Sequence, residues 1–136
     1  MGLRWPHDPL HDVARPGLLP RLRHLRRPHL TSGLRDLLGA RLVAYLGGVK
    51  ETRAVRQWAE GVRRPSDAAV HRLRLAYQVC GILREPGNPP AIVQAWFQGA
   101  NPRLEDRSPA CTLVEEDPTA ASPRVLAAAR AFARVG

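Results

Sequence analysis

Residues 44–61, which read AYLGGVKETRAVRQWAEG, most restrict what this chain can fold into. Ala44 is small and lies four residues before Gly48. A glycine permits the positive φ of a tight turn, and a small side chain lets two helices cross closely. Gly61 follows thirteen residues after Gly48 and is placed to end the second helix. The segment therefore predicts two short helices joined by a tight turn.

The second of these helices has one apolar face and one basic face. Val55 and Trp58 recur at a helical spacing, so we expect both in the core, while Arg53 and Arg56 lie off that stripe. Arginines exposed on such a helix can contact phosphates or guanine edges. The pattern is that of a helix-turn-helix and indicates nucleic-acid binding. The predicted DNA-contacting residues are Lys50, Thr52, Arg53, Arg56, Arg63 and Arg64.

The charge of the chain is unevenly distributed. Residues 1–30 carry six arginines and two acidic residues, residues 31–86 carry ten basic and five acidic residues, and residues 87–136 carry five of each. A basic excess of this size is typical of proteins that bind polyanions. We therefore expect DNA to meet the first two thirds of the chain and a different partner to meet the neutral last third.

The apolar patterns elsewhere are helical, and none predicts a strand. Thr31 or Ser32 is the expected N-cap of the first helix, and Gly39 offers a point at which that stretch divides in two. Ser66 is the expected N-cap of a long helix ending near Leu83, whose two apolar faces require burial on both sides.

Prolines predict where the later helices begin. Pro90 suits a first helical turn, and the pairs Ser108-Pro109 and Ser122-Pro123 each read as an N-cap followed by a proline at the first helical position. The last helix, residues 123–135, has few apolar anchors, and we expect it to gain order from a partner. The predicted fold is all-α, with a helix-turn-helix domain followed by a small helical domain.

Catalysis, cofactors and metals find no support in the sequence. No histidine pairs with a cysteine at zinc-finger spacing, and no P-loop or dinucleotide-binding glycine pattern is present. Cys80 and Cys111 lie in apolar helical patterns, as expected of reduced, buried thiols. No apolar run is long enough to span a membrane, and residues 1–6 lack a signal core. We expect a cytoplasmic protein that is not an enzyme and has no membrane association.

Three segments resemble one family. They are GVKETRAVRQWAEGVRRPSDAAVHRLRLAYQV (residues 48–79), VQAWFQGANPRLEDRSPACTLVEE (residues 93–116) and VLAAARAF (residues 125–132). On these the chain resembles the Xre/MbcA/ParS-type antitoxins, whose partners are RES-domain toxins. The resemblance implies that the protein binds a NAD-degrading RES toxin, obstructs its active site and represses its own operon, as a homo-oligomer within the toxin–antitoxin complex.

The resemblance also implies a toxin-binding domain in the last third, within the division 1–30 (mobile basic arm), 31–86 (DNA-binding domain) and 87–136 (toxin-binding domain). Of the adjacent Trp96 and Phe97, we expect one in the core and one exposed to the partner. Asn101 either fixes its own loop or touches the toxin. Arg130 and Arg134 either form a solvated face or point into the NAD pocket of the toxin. The implied toxin-binding residues are Trp96, Phe97, Asn101, Leu104, Arg130, Phe132 and Arg134.

A second interpretation remains open at this stage. The same helix-turn-helix would serve a stand-alone transcriptional regulator that has no toxin partner. The motif of residues 96–109 favours the antitoxin, because a pure repressor does not need it.

Overall fold

The structure is a computed structural model that describes residues 27–135. The chain forms α-helices throughout this range and no strand, which confirms the all-α prediction. The helices are α1 (Arg27–Leu38), α2 (Ala40–Gly47), α3 (Thr52–Glu60), α4 (Asp67–Arg84), α5 (Pro90–Gln98), α6 (Pro109–Glu115) and α7 (Pro118–Val135), with a short 3-10 helix at Pro102–Leu104. None of these helices is long and apolar enough to cross a membrane.

The first helix begins earlier than the sequence pattern predicted. α1 starts at Arg27, and Thr31 is fully buried inside it, so the expected N-cap at Thr31 or Ser32 is wrong. Leu30 is buried as well and extends the apolar stripe one turn towards the N-terminus. Gly39 separates α1 from α2 with a φ of 86°, as its position suggested. The rest of the predicted basic arm, residues 1–26, lies outside the described residues.

Helix α4 is the central element of the described fold. The Ala69 N–H donates to Ser66 Oγ at 3.1 Å, so Ser66 is the N-cap that the sequence predicted. Beyond this cap, α4 packs against α1, α2, α5 and α7. Leu73 and Val79, one from each of its predicted apolar faces, are both fully buried. The predicted burial of α4 on two sides is therefore confirmed.

The two predicted domains share one hydrophobic core. The cluster of buried side chains runs without interruption from Leu30 on α1 to Ala129 on α7. A hydrogen bond from Gln94 Nε2 on α5 to the Leu37 carbonyl on α1 (2.8 Å) also joins the halves. The predicted boundary after residue 86 therefore lies in a turn between helices that pack together.

The last helix differs from the prediction in its start. It begins at Pro118, so the start signal is Asp117, whose Oδ2 accepts from the Thr119 N–H at 3.1 Å, and Pro123 lies inside the helix. Val125 and Ala129 are fully buried, and the helix packs closely on α4. Alanines let two helix backbones approach, so few large side chains are needed. The helix therefore packs on α4 and α6 in the described fold, and its gain of order from a partner stays a prediction.

Candidate functional site

The turn between α2 and α3 has the geometry that the glycine predicted. Gly48 adopts a left-handed conformation with a φ of 78°. Its N–H donates to the Tyr45 carbonyl at 3.1 Å, and the Val49 N–H donates to the Ala44 carbonyl at 3.0 Å. This pair of bonds satisfies the last carbonyls of α2 in the way typical of a glycine-terminated helix. Gly61 ends α3 in the same left-handed conformation.

Gly47 on α2 lies directly against the Trp58 ring of α3, a contact that the sequence pattern did not predict. A Cβ atom built on Gly47 would lie 2.5 Å from Trp58 Cη2 and 2.6 Å from Trp58 Cζ3. Trp58 is only 2% exposed, so the ring cannot move aside into solvent. The signal that could have found this position is the second glycine of the pair, since one glycine suffices for the turn itself.

Helix α3 separates its apolar and basic faces as predicted. Ala54, Val55 and Trp58 are buried against the other helices, so Trp58 is a core residue. Arg53 and Arg56 are exposed on the opposite face. All six predicted DNA-contacting residues have exposed side chains: Lys50, Thr52, Arg53, Arg56, Arg63 and Arg64. They occupy α3 and the two turns that flank it.

A groove between α2 and the start of α3 brings in residues that the sequence pattern did not predict. It is lined by Arg41 and Tyr45 from α2 and by Lys50, Glu51 and Arg53 from the turn and α3. Its lining therefore carries three basic groups and one acidic group. Arg41 and Tyr45 are the exposed side chains of α2, and their spacing of four residues could have indicated a shared outer face.

Tyr45 connects this groove to the C-terminal half of the chain. Burial, the contact with the Cys111 thiol and the nearby Glu115 carboxylate together raise the pKa of Tyr45. The phenol is therefore neutral at physiological pH. On the far side of the same thiol, Arg107 Nη2 donates to Cys111 Sγ at 3.2 Å. The side of the groove formed by Tyr45 therefore contacts α6.

The aromatic pair of the second motif is buried. Trp96 and Phe97 are 7% and 0% exposed, and their rings meet edge to face with centroids 5.3 Å apart. The expectation that one of the two is exposed to a partner is therefore wrong for the described fold, because consecutive helix positions both face core when α5 lies between α1, α4 and α6. Leu104 is also fully buried. These three side chains belong to the hydrophobic core.

Asn101 fixes the loop that follows α5. Its side-chain oxygen accepts from the Arg103 N–H at 2.9 Å, and its N–H donates to the Arg107 carbonyl at 3.1 Å. The loop turns sharply through two consecutive non-glycine residues of positive φ, Glu105 (60°) and Asp106 (65°). Such conformations persist only where surrounding bonds enforce them. Of the two interpretations of Asn101, the structure shows the loop-fixing one.

Ion pairs join this loop to the last two helices. Arg107 pairs with Glu115 at 2.8 Å and with Glu116 at 2.9 Å. Arg124 on α7 pairs with the same Glu116 at 2.5 Å and with Glu105 at 3.8 Å. Partly exposed pairs of this kind stabilise by modest amounts individually, but they share carboxylates and so set the relative position of the three elements. These ion pairs take up two of the five arginines and three of the five acidic residues of the C-terminal half.

The remaining predicted residues lie on α7. Arg130 and Arg134 are exposed one helical turn apart, and Phe132 between them is half-buried against the core cluster. An aromatic ring that already packs on its own core offers only an edge to a partner. The two interpretations of the arginines, a solvated face or a partner contact, fit this placement equally.

No group of three or more His, Cys, Asp or Glu side chains within residues 27–135 is arranged to hold a metal ion. Cys80 and Cys111 are free thiols, and burial raises the pKa of Cys80 far above its usual value. Comparison of the chain with protein-family models, curated proteins and solved structures finds no match in any of the three.

Proposed function

We propose that this protein is an antitoxin that binds operator DNA through α2 and α3 and neutralises a RES-domain toxin through its C-terminal half. The observation that carries the proposal is the arrangement around α3. Its apolar stripe is buried, and the six predicted DNA-contacting side chains on the helix and its flanking turns are exposed. Two closely crossed helices with a basic second helix suit the major groove of DNA.

The second part of the proposal rests on the resemblance of residues 93–132 to the toxin-binding segment of the family. The loop fixed by Asn101 supports it, because backbone strain of this kind is concentrated at functional sites. The internally paired charges of this half also support a protein partner rather than a second polyanion. The toxin itself, its degradation of NAD and the repression of the operon come from the resemblance.

A reciprocal pair of double variants tests the two halves of the proposal. Arg53→Ala/Arg56→Ala removes two exposed arginines from α3, and Arg130→Ala/Arg134→Ala removes two from α7. Both pairs lower the net charge equally, so each is the control for the other. DNA binding is measured by fluorescence anisotropy on the duplex upstream of the reading frame. Neutralisation is measured as NAD consumption by a RES-domain toxin encoded beside it.

The first variant should lose about 1–3 kcal/mol of discrimination between this duplex and random DNA for each base contact removed, yet still inhibit the toxin. The second variant should bind DNA normally. Unchanged operator discrimination by the α3 variant would overturn the DNA-binding assignment. Full NAD consumption by the toxin in the presence of the wild-type chain would overturn the antitoxin assignment and leave the stand-alone regulator, which shares the exposed basic α3.

A further inference from the structure

The groove between α2 and α3 combines cationic side chains with an apolar wall. Arg41 and Arg53 place two guanidinium groups along it, Lys50 adds an ammonium group, and the exposed part of the Tyr45 ring forms an apolar wall. The volume of the groove, about 690 Å³, lies in the range of small-ligand sites. Guanidinium groups recognise phosphate through paired N–H donors. The apolar ring beside them suits a sugar.

We propose that this groove binds one sugar-phosphate unit, with the phosphate between Arg41 and Arg53 and the sugar against the ring of Tyr45. The occupant is a unit of the nucleic-acid backbone, and to that extent the inference rests on the proposed DNA binding. It goes further by assigning the phosphate contact of α2 to Arg41 and the sugar contact to Tyr45. Arg41 then fixes how α3 is placed on the duplex, since phosphate contacts set register and base contacts set sequence.

Glu51 lowers the affinity of this groove for an anion. Its carboxylate lies on the same lining as the cations and disfavours an anion there. It precedes the first residue of α3, and its side chain makes no capping hydrogen bond to that helix. Replacing it by glutamine therefore removes the opposing charge without removing a cap. Glu51→Gln should tighten phosphate binding by about two-fold, the effect of one solvent-screened charge at this range.

Substitutions at Tyr45 provide a second, independent test of the site. Its hydroxyl faces the Cys111 thiol, while its ring lines the groove. Tyr45→Phe keeps the ring and removes only the hydroxyl, so binding should be retained. Tyr45→Ala removes the wall and should weaken binding. Circular dichroism first shows that both variants are folded. Equal DNA affinity of the two variants would then show that the ring only fills space between α2 and α6.

The test compares Arg41→Ala with Arg130→Ala, which removes the same charge from α7, a helix that packs on α4 and α6. Affinity for the duplex upstream of the reading frame is measured by anisotropy across a series of KCl concentrations. AMP binding is measured by calorimetry as the free-nucleotide probe. For Arg41→Ala the slope of log affinity against log salt should fall by about 0.9, the loss of one phosphate contact, and for Arg130→Ala it should not change.

The outcomes separate this inference from the proposed function. If the wild-type chain binds the duplex and Arg41→Ala gives the same slope and affinity, the groove assignment is overturned and DNA binding through α3 stands. If AMP binds through Arg41 and the duplex does not bind, the sugar-phosphate site stands with a free nucleotide as its source, and the DNA-binding part of the proposed function fails. If neither probe binds the wild-type chain, both are overturned.

Discussion

The contact between Gly47 and the Trp58 ring predicts the effect of adding a single methyl group. In Gly47→Ala the new Cβ would lie 2.5 Å from Trp58 Cη2, whereas carbon atoms pack best about 3.5–4.0 Å apart. The ring or the helix must therefore move by about 1 Å, and the ring is 2% exposed. Overpacking of a core costs about 1–3 kcal/mol, and the better helix propensity of alanine returns less than about 1 kcal/mol at the last residue of α2.

We therefore expect Gly47→Ala to lower the free energy of unfolding by about 1–2 kcal/mol, or Tm by about 4–8 °C for a chain of this size. The assay is thermal unfolding followed by circular dichroism, in a double-mutant cycle with Trp58→Phe, which removes the two clashing ring atoms. The alanine should cost less in the Trp58→Phe background. Equal costs in both backgrounds, or a Gly47→Ala protein as stable as the wild type, would refute the close crossing of α2 and α3.

Three further changes test other parts of the structure. Ser66→Ala removes the acceptor of the first turn of α4 and should cost about 1 kcal/mol in urea unfolding, whereas Ser66→Gly should cost only part of that. Asn101→Ala removes the side-chain oxygen that accepts from the Arg103 N–H and leaves the backbone bonds of residue 101 in place. The start of the loop should loosen, so the proposed toxin neutralisation should fall while DNA affinity stays at the wild-type value; an equal fall in both would contradict the assignment of the loop. In the native protein, one of the two thiols should react with a colorimetric disulfide reagent. Cys111 is partly exposed and should react. Cys80, whose pKa is raised by burial, should stay unreactive from neutral to mildly alkaline pH until the protein is unfolded. A Cys111→Ser protein that still reacts rapidly would contradict the burial of Cys80.

The groove wall gives the fold a direct contact between its two halves. Tyr45 on α2 touches Cys111 on α6, and Arg107 ties that thiol to the ion pairs of the C-terminal half. A partner that displaced Arg107 would therefore act on a side chain of the groove. The continuous core has a second consequence: a fragment ending near Glu85 would expose the side of α4 that packs on α7, and we expect it to aggregate rather than to fold as a separate domain.

Local chemistry in the sequence determined where most helices begin and end. Gly48 permits a left-handed turn, Ser66 and Ser108 accept hydrogen bonds from the N–H groups three residues later, and Pro90 has no N–H to leave unsatisfied. Each of these effects acts within one helical turn, so it can be identified without knowing the rest of the fold. The exposed basic face of α3 was predictable in the same way, from a stripe of apolar residues that leaves the arginines on the other side.

The tertiary structure alone decided what each apolar face packs against. Both Trp96 and Phe97 are buried because α5 has neighbours on more than one side, which the periodicity of a single helix cannot reveal. Helix α7 begins at Pro118 and packs on α4 through alanines, whose burial depends on how closely another backbone approaches. The groove beside Arg41 is formed by side chains of α2, the turn and α3 together, so neither helix alone indicates it. Sequence patterns indicate local hydrogen bonds and the presence of a buried face. The distance between two helices depends on the side chains of both helices, so the pattern of one helix cannot predict it.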